Sequence, residues 1–124
     1  MRGRLPHLSA LLAALLLLTA FTGDAAALRR GATFIVTATA YTGGGLTASG
    51  LKTGRGRCAV DPRVIPLGTR FHVQGYGTCL AADTGGGIIG RTIDIWLRSE
   101  HAANAWGIRK VRIRILCVRC RAGA

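Results

Sequence analysis

A chain of 124 residues accommodates one small domain and leaves no room for a second. Its 17 Lys and Arg outweigh five Asp and Glu, and the net charge of +12 holds it near an anionic polymer or membrane surface in a salt-dependent way. Charge alone names no partner, because a solvated basic face has the same composition.

At the N-terminus, Arg2 and Arg4 precede an apolar run from Leu8 to Phe21 and small residues ending at Ala25-Ala26-Ala27. This is the pattern of a secretory signal with an A-x-A cleavage site, so residues 1–27 are expected to direct export to periplasm, cell wall or medium. The run has roughly half to two-thirds of the ~20 apolar residues that a bilayer span needs, which disfavours a permanent anchor. Removing it takes away two Arg and one Asp and leaves a net charge of +11.

Beyond the signal, glycines punctuate short β-branched or apolar runs. Strands are expected at 33–41, 58–61, 70–74, 78–83, 91–96 and 111–118. A helix is expected from Ser99 to Trp106, where Ser99 can cap and Ala102, Ala103 and Ala105 favour helix. Six strands and one helical turn in a domain spanning 32–118 point to an all-β closed barrel, since closure removes sheet edges. Residues 119–124 form a short basic tail. An internal echo, Ala59-x-Asp61 with Gly68 and Ala81-x-Asp83 with Gly90, suggests a pseudo-twofold barrel. In the last strand Val111, Ile113 and Ile115 alternate with Arg112 and Arg114, giving one core face and one basic stripe. Without a helix suited to a groove or a spaced stacking platform, nucleic acid is not the expected partner.

Cys58, Cys79, Cys117 and Cys120 all follow the signal, where disulfides persist, and four cysteines allow three pairings. The favoured one joins Cys58 to Cys79 and Cys117 to Cys120. Zinc would need two ligand pairs at short spacing, and only Cys117-x-x-Cys120 has it, so no metal is expected. A Cys–His hydrolase built on Cys58 or Cys79 with His72 or His101 is the weaker reading for an oxidised protein.

Four carboxylates remain after the signal, and three stand in short apolar or glycine-framed motifs: Asp61 before Pro62, Asp83 before Thr84-Gly85-Gly86-Gly87, and Asp94 in Ile93-Asp94-Ile95-Trp96. Acids embedded in this way are costly unless hydrogen-bonded, and they gather at functional sites. Strand alternation puts Asp94 on one face with Thr92 and Trp96, where the indole raises the acid's pKa and offers a wall for a sugar ring. That is the environment of a general acid. Asp83 is expected to orient substrate or Asp94, its glycines permitting positive φ. Asp61 with Pro62 reads as a turn.

Thr37-Ala38-Thr39-Ala40-Tyr41, Thr47-Ala48-Ser49-Gly50, Ala59-Val60-Asp61-Pro62, Ile65-Pro66-Leu67-Gly68-Thr69, Gly75-Tyr76-Gly77, Ala81-Ala82-Asp83-Thr84-Gly85-Gly86 and Ile93-Asp94-Ile95-Trp96 together resemble the bacterial three-aspartate (3D) domain family over about Phe34 to Ile115. The resemblance implies a six-stranded double-psi β-barrel, shared with the catalytic region of membrane-bound lytic murein transglycosylase A and with expansin-like wall proteins. It implies Asp94 as catalytic acid/base with Asp83 and Asp61 in support, and substrate contacts at Tyr41, Thr47, Thr84, Gly85, Gly86 and Trp96. A lytic transglycosylase uses the muramic acid C6 hydroxyl as nucleophile, so one carboxylate suffices where ordinary glycosidases need two. The expected activity is cleavage of peptidoglycan glycan strands to a 1,6-anhydro product, by a monomer without cofactor. The alternative implied by the same resemblance is a non-catalytic expansin-like polysaccharide binder.

Overall fold

The computed structural model describes residues 28–120; the expected signal segment 1–27 and the tail residues 121–124 lie outside the described residues. The strands are β1 (Thr33–Tyr41), β2 (Arg57–Val60), β3 (Arg70–Val73), β4 (Gly77–Asp83), β5 (Thr92–Trp96) and β6 (Arg109–Cys117), with a helix α1 (Glu100–Trp106) between the last two. They close into the expected all-β barrel, in the order β1-β5-β2-β4-β3-β6. Two pairs, β1/β5 and β2/β4, run parallel and the other four antiparallel.

Alternation builds the core. Ile93 and Ile95 from β5, Phe71 and Val73 from β3, and Val111, Ile113 and Ile115 from β6 point inward and are buried, while the residues between them are exposed or half-buried. Each such side chain contributes roughly 1.5–3 kcal/mol relative to exposure. Ser99 caps α1 as expected, its side chain accepting from the Ala102 N–H. No residue of α1 is fully buried, and the helix sits on the barrel through Trp106, whose Nε1–H donates to the Ala38 carbonyl at 3.2 Å.

Exchanging β1 with β4, β2 with β5 and β3 with β6 reproduces the ring, parallel pairs included. The barrel therefore has a pseudo-twofold topology, but the echo between residues 59–68 and 81–90 does not express it: those segments contain β2 and β4, which are hydrogen-bonded parallel neighbours. The segments that correspond are the ends of β1 and β4. They read Ala40-Tyr41-Thr42-Gly43-Gly44-Gly45 and Ala82-Asp83-Thr84-Gly85-Gly86-Gly87, a repeat that an anchor on cysteines and aspartates passes over.

Both disulfides are those favoured above, Cys58–Cys79 between β2 and β4 and Cys117–Cys120 at the end of β6. With all four cysteines bonded, the thiol-nucleophile reading falls. His72 and His101 are both exposed. The tail is not free from its first residue: the Arg119 N–H donates to Thr69 Oγ1 and the Cys120 N–H to the Gly68 carbonyl.

Candidate functional site

Four strands contribute one cross-barrel row. Thr39 of β1 is in register with Asp94 of β5, Asp94 with Ala59 of β2, and Ala59 with Asp83 of β4. Ile93 and Ile95 face inward, so Asp94 faces the outside of the barrel. By simple alternation Asp83 would face inward with Cys79 and Ala81. Between Cys58 and Ala59, however, the β2/β4 register slips: Cys58 pairs with Ala81 and Ala59 with Asp83, leaving Ala82 as the extra residue. Slips of this kind re-aim side chains, and this one turns Asp83 onto the outer face. Two inter-strand spacings, roughly 10 Å of backbone, then separate the two acids. Only the Ala59 methyl lies between them in the row.

The two carboxylates differ in environment. Asp94 is half-buried and accepts from the Thr39 hydroxyl at 2.9 Å. Burial raises its pKa above the ordinary carboxylate value and the nearby Asp83 charge adds to this, while the Thr39 hydrogen bond acts in the opposite direction. Asp83 Oδ1 accepts from the backbone N–H groups of Ala48, at 2.8 Å, and Thr84, at 2.9 Å. It thereby ties the loop after β1 to the loop after β4.

Tyr41 and Trp96 are in register at the end of the same face. The Trp96 Nε1–H donates to the Gly43 carbonyl at 2.8 Å, which fixes the indole against the loop after β1. The Tyr41 hydroxyl is buried and has no partner among the described residues. Burial, then the charges of Asp83 and Asp94, push its pKa up to about 12, so it stays a hydrogen-bond donor at neutral pH. A buried donor without an acceptor is costly, and this one lies on the same face as Asp94.

The other expected contacts are placed less directly. Thr47 is buried, and its hydroxyl accepts from the Leu51 N–H within its own turn. Thr84, Gly85 and Gly86 are exposed on the loop after Asp83. None of Gly85, Gly86 and Gly87 uses the positive φ that glycine permits; that conformation falls on Gly43 and Gly45 of the equivalent loop and on Gly90. Gly85 is needed for space instead, since a Cβ there would lie 2.9 Å from Ile88 Cγ1.

Asp61 is not in the row. It lies at the end of β2, 4 % exposed, and accepts from Arg63 through the backbone N–H, Nε and the guanidinium NH2, and from the Gly90 N–H. The Arg63 hydrogen bonds hold its pKa well below the ordinary carboxylate range, helped by Gly90. Because the folded-state value is depressed, the stabilisation is complete above the unfolded value near 4 and is lost as pH falls toward the folded value. Asp61→Asn should lower Tm at neutral pH by on the order of 5 °C and flatten the loss of Tm below about pH 4. A variant with the acid sensitivity of wild type, measured by thermal melts from pH 2.5 to 7, would assign that sensitivity to other groups.

Residues 57–117 match the model of the 3D domain. The cell wall-binding protein YocH of Bacillus subtilis is 47% identical over 90 residues, 65% of this chain and 31% of YocH. YabE of the same organism, provisionally named a cell wall shaping protein, is 42% identical over 95 residues, 69% of this chain and 23% of YabE. The chain thus spans less than a third of either relative. The crystal structure of MltA from E. coli superimposes with a TM-score of 0.49 at 25% identity, covering 59% of this chain and 27% of that one.

Proposed function

The chain belongs to the 3D domain family through residues 57–117, and on that premise we propose that it acts on bacterial cell-wall glycan, with the outer-face row of Thr39, Asp94, Ala59 and Asp83 as a lytic-transglycosylase-like site and Asp94 as its acid/base. The proposal includes export through residues 1–27, a barrel domain over 32–118 and action at the cell wall, in keeping with the names of the Bacillus subtilis relatives.

The observation that carries it is the difference between the three aspartates. Asp94 is half-buried, outward-facing and shifted toward the protonated form; Asp61 is consumed by Arg63 and Gly90; Asp83 is engaged by two backbone N–H groups. A protonated Asp94 donates its proton to the glycosidic oxygen as the bond to the anomeric carbon breaks. The resulting carboxylate then takes the proton of the C6 hydroxyl as that oxygen bonds to the same carbon, which regenerates the acid and closes the 1,6-anhydro ring. The Asp83 charge raises the pKa of Asp94 and stabilises positive charge developing on the sugar ring. Tyr41 donates to a sugar oxygen, Trp96 supplies an apolar wall, and the loop of Thr84, Gly85 and Gly86 borders the strand.

Incubating the protein with purified sacculi and analysing the soluble fraction by mass spectrometry should detect 1,6-anhydro-muropeptides. Sacculus binding without product would favour the second reading, a non-catalytic wall binder, for which the name of YocH speaks. The Asp94–Thr39 hydrogen bond gives a further test. Since Asp94 acts first as an acid, cleavage should fall as pH rises through its pKa. Thr39→Val removes the group that lowers that pKa, so the alkaline limb of the pH–rate profile should move to higher pH. An unmoved or down-shifted limb would detach the limb from Asp94.

A further inference from the structure

A concavity of about 630 Å³ lies not at Asp94 but across the barrel, lined by Thr33, His72, Gln74, Thr78, Arg112 and Arg114 with Ile113 and Leu116. In the ring, β3/β6 stands opposite β2/β5. The outward polar residues of β3 are Arg70 and His72, and those of β6 are Lys110, Arg112 and Arg114, all exposed. No carboxylate neutralises them. The four acids among the described residues are Asp61, Asp83, Asp94 and Glu100, and the one salt bridge there is that of Asp61 with Arg63.

Register explains how these cations share one sheet. Arg114 stands opposite Thr33 on β1 and His72 on β3, and Arg112 opposite Ile35 on β1. Gln74 fixes the strand beside them, its N–H donating to the Arg112 carbonyl and its Oε1 accepting from the Arg112 N–H. Thr33 and Ile35 carry no charge, so direct like-charge opposition, which destabilises a sheet, is kept off the β1 side. Along β6 the cations recur every second residue, roughly 7 Å apart. The result is a recessed lane of donors along the strand surface, on the side of the barrel opposite Asp94.

We infer that this β3/β6 face is a second binding surface, for an extended polymer that carries one phosphodiester on each repeat and no bases. Arginine matches phosphate oxygens with paired N–H groups. A regular row of them suits repeated charges on a linear chain better than a single anion. Bases are disfavoured because no Phe, Tyr or Trp lines the lane and His72 is its single ring, whereas single-stranded nucleic acids are held largely by a series of stacking rings. A membrane is the less suitable partner, because the lane is recessed and the exposed apolar side chain on its β1 border is the single Ile35. The face would hold the protein on an anionic polymer while the opposite face, with Asp94, stays free.

The test is binding of fluorescein-labelled poly(glycerol phosphate), followed by anisotropy across a salt series, and it requires no catalytic activity. Arg112→Gln/Arg114→Gln should weaken binding at least tenfold at low salt and flatten the slope of log affinity against log salt by about two. Lys52→Gln/Arg98→Gln removes the same charge elsewhere and should weaken binding less than threefold. Equal losses in the two variants would reduce the effect to net charge and overturn the assignment. Tighter binding of single-stranded DNA, or of anionic phospholipid vesicles at equal phosphate, would overturn the choice of partner.

Discussion

Asp94→Asn should leave the barrel folded and bound to sacculi while lowering release of 1,6-anhydro product by on the order of 10²–10⁴ or more, the range for loss of a general acid/base. That corresponds to about 3–5 kcal/mol of transition-state stabilisation. An amide fits the space of the carboxyl group and retains an oxygen to accept from the Thr39 hydroxyl, but it has no proton to deliver to a leaving oxygen. Asp83→Asn should give a smaller loss. It removes the charge that raises Asp94 and weakens the Ala48 and Thr84 hydrogen bonds that join two loops, while Asp94 itself stays in place. Asp61→Asn should act on stability. The decisive comparison is product per bound protein for the three variants, because a variant that merely binds less is corrected for. Equal product from Asp94→Asn and wild type would remove Asp94 from the chemistry; a larger loss at Asp61 than at Asp94 would move the site to the Arg63 turn.

What could be read from the sequence follows from how locally each feature is encoded. The alternation Val111, Ile113, Ile115 against Arg112, Arg114 declares β6 and its two faces, and Ser99 before an alanine-rich stretch declares α1; both are where expected. Asp94 sharing a face with Trp96 also needs only the period of a strand. Asp83 is different. Its alternation with Cys79 and Ala81 predicts an inward side chain, and only the slipped register against β2 reverses it. A register is a property of two strands, so neither segment shows it alone. The same holds for the methyl of Ala59, an unremarkable residue in sequence that becomes the floor between two acids. The repeat was legible in principle, as Thr-Gly-Gly-Gly after Tyr41 and again after Asp83. The competing echo on Cys and Asp paired strands that the barrel sets side by side rather than in equivalent positions.

The largest expected effect on stability comes from the barrel's own cross-link. Cys58 and Cys79 are both fully buried and join β2 to β4, the two strands whose register presents Asp83. Their sequence separation is 21 residues, whereas Cys117 and Cys120 are three apart. On the chain-entropy account, closing the longer loop stabilises the fold by about 3 kcal/mol and closing the shorter by about 2 kcal/mol. Position widens the difference. Removing the first pair also loosens packing between core strands, whereas removing the second frees a segment whose further ties are the hydrogen bonds of Arg119 and Cys120 to Thr69 and Gly68. Cys58→Ala/Cys79→Ala should therefore lower Tm by roughly 10–25 °C for a domain of this size, and Cys117→Ala/Cys120→Ala by clearly less. Cleavage assayed well below the lowered Tm should also fall in the first variant, because a looser β2/β4 pairing lets Asp83 leave the row. A first variant that melts no lower than the second would show that β2/β4 pairing holds without its disulfide. Full activity in a markedly destabilised first variant would free the position of Asp83 from the cross-link and leave the slipped register alone to hold it.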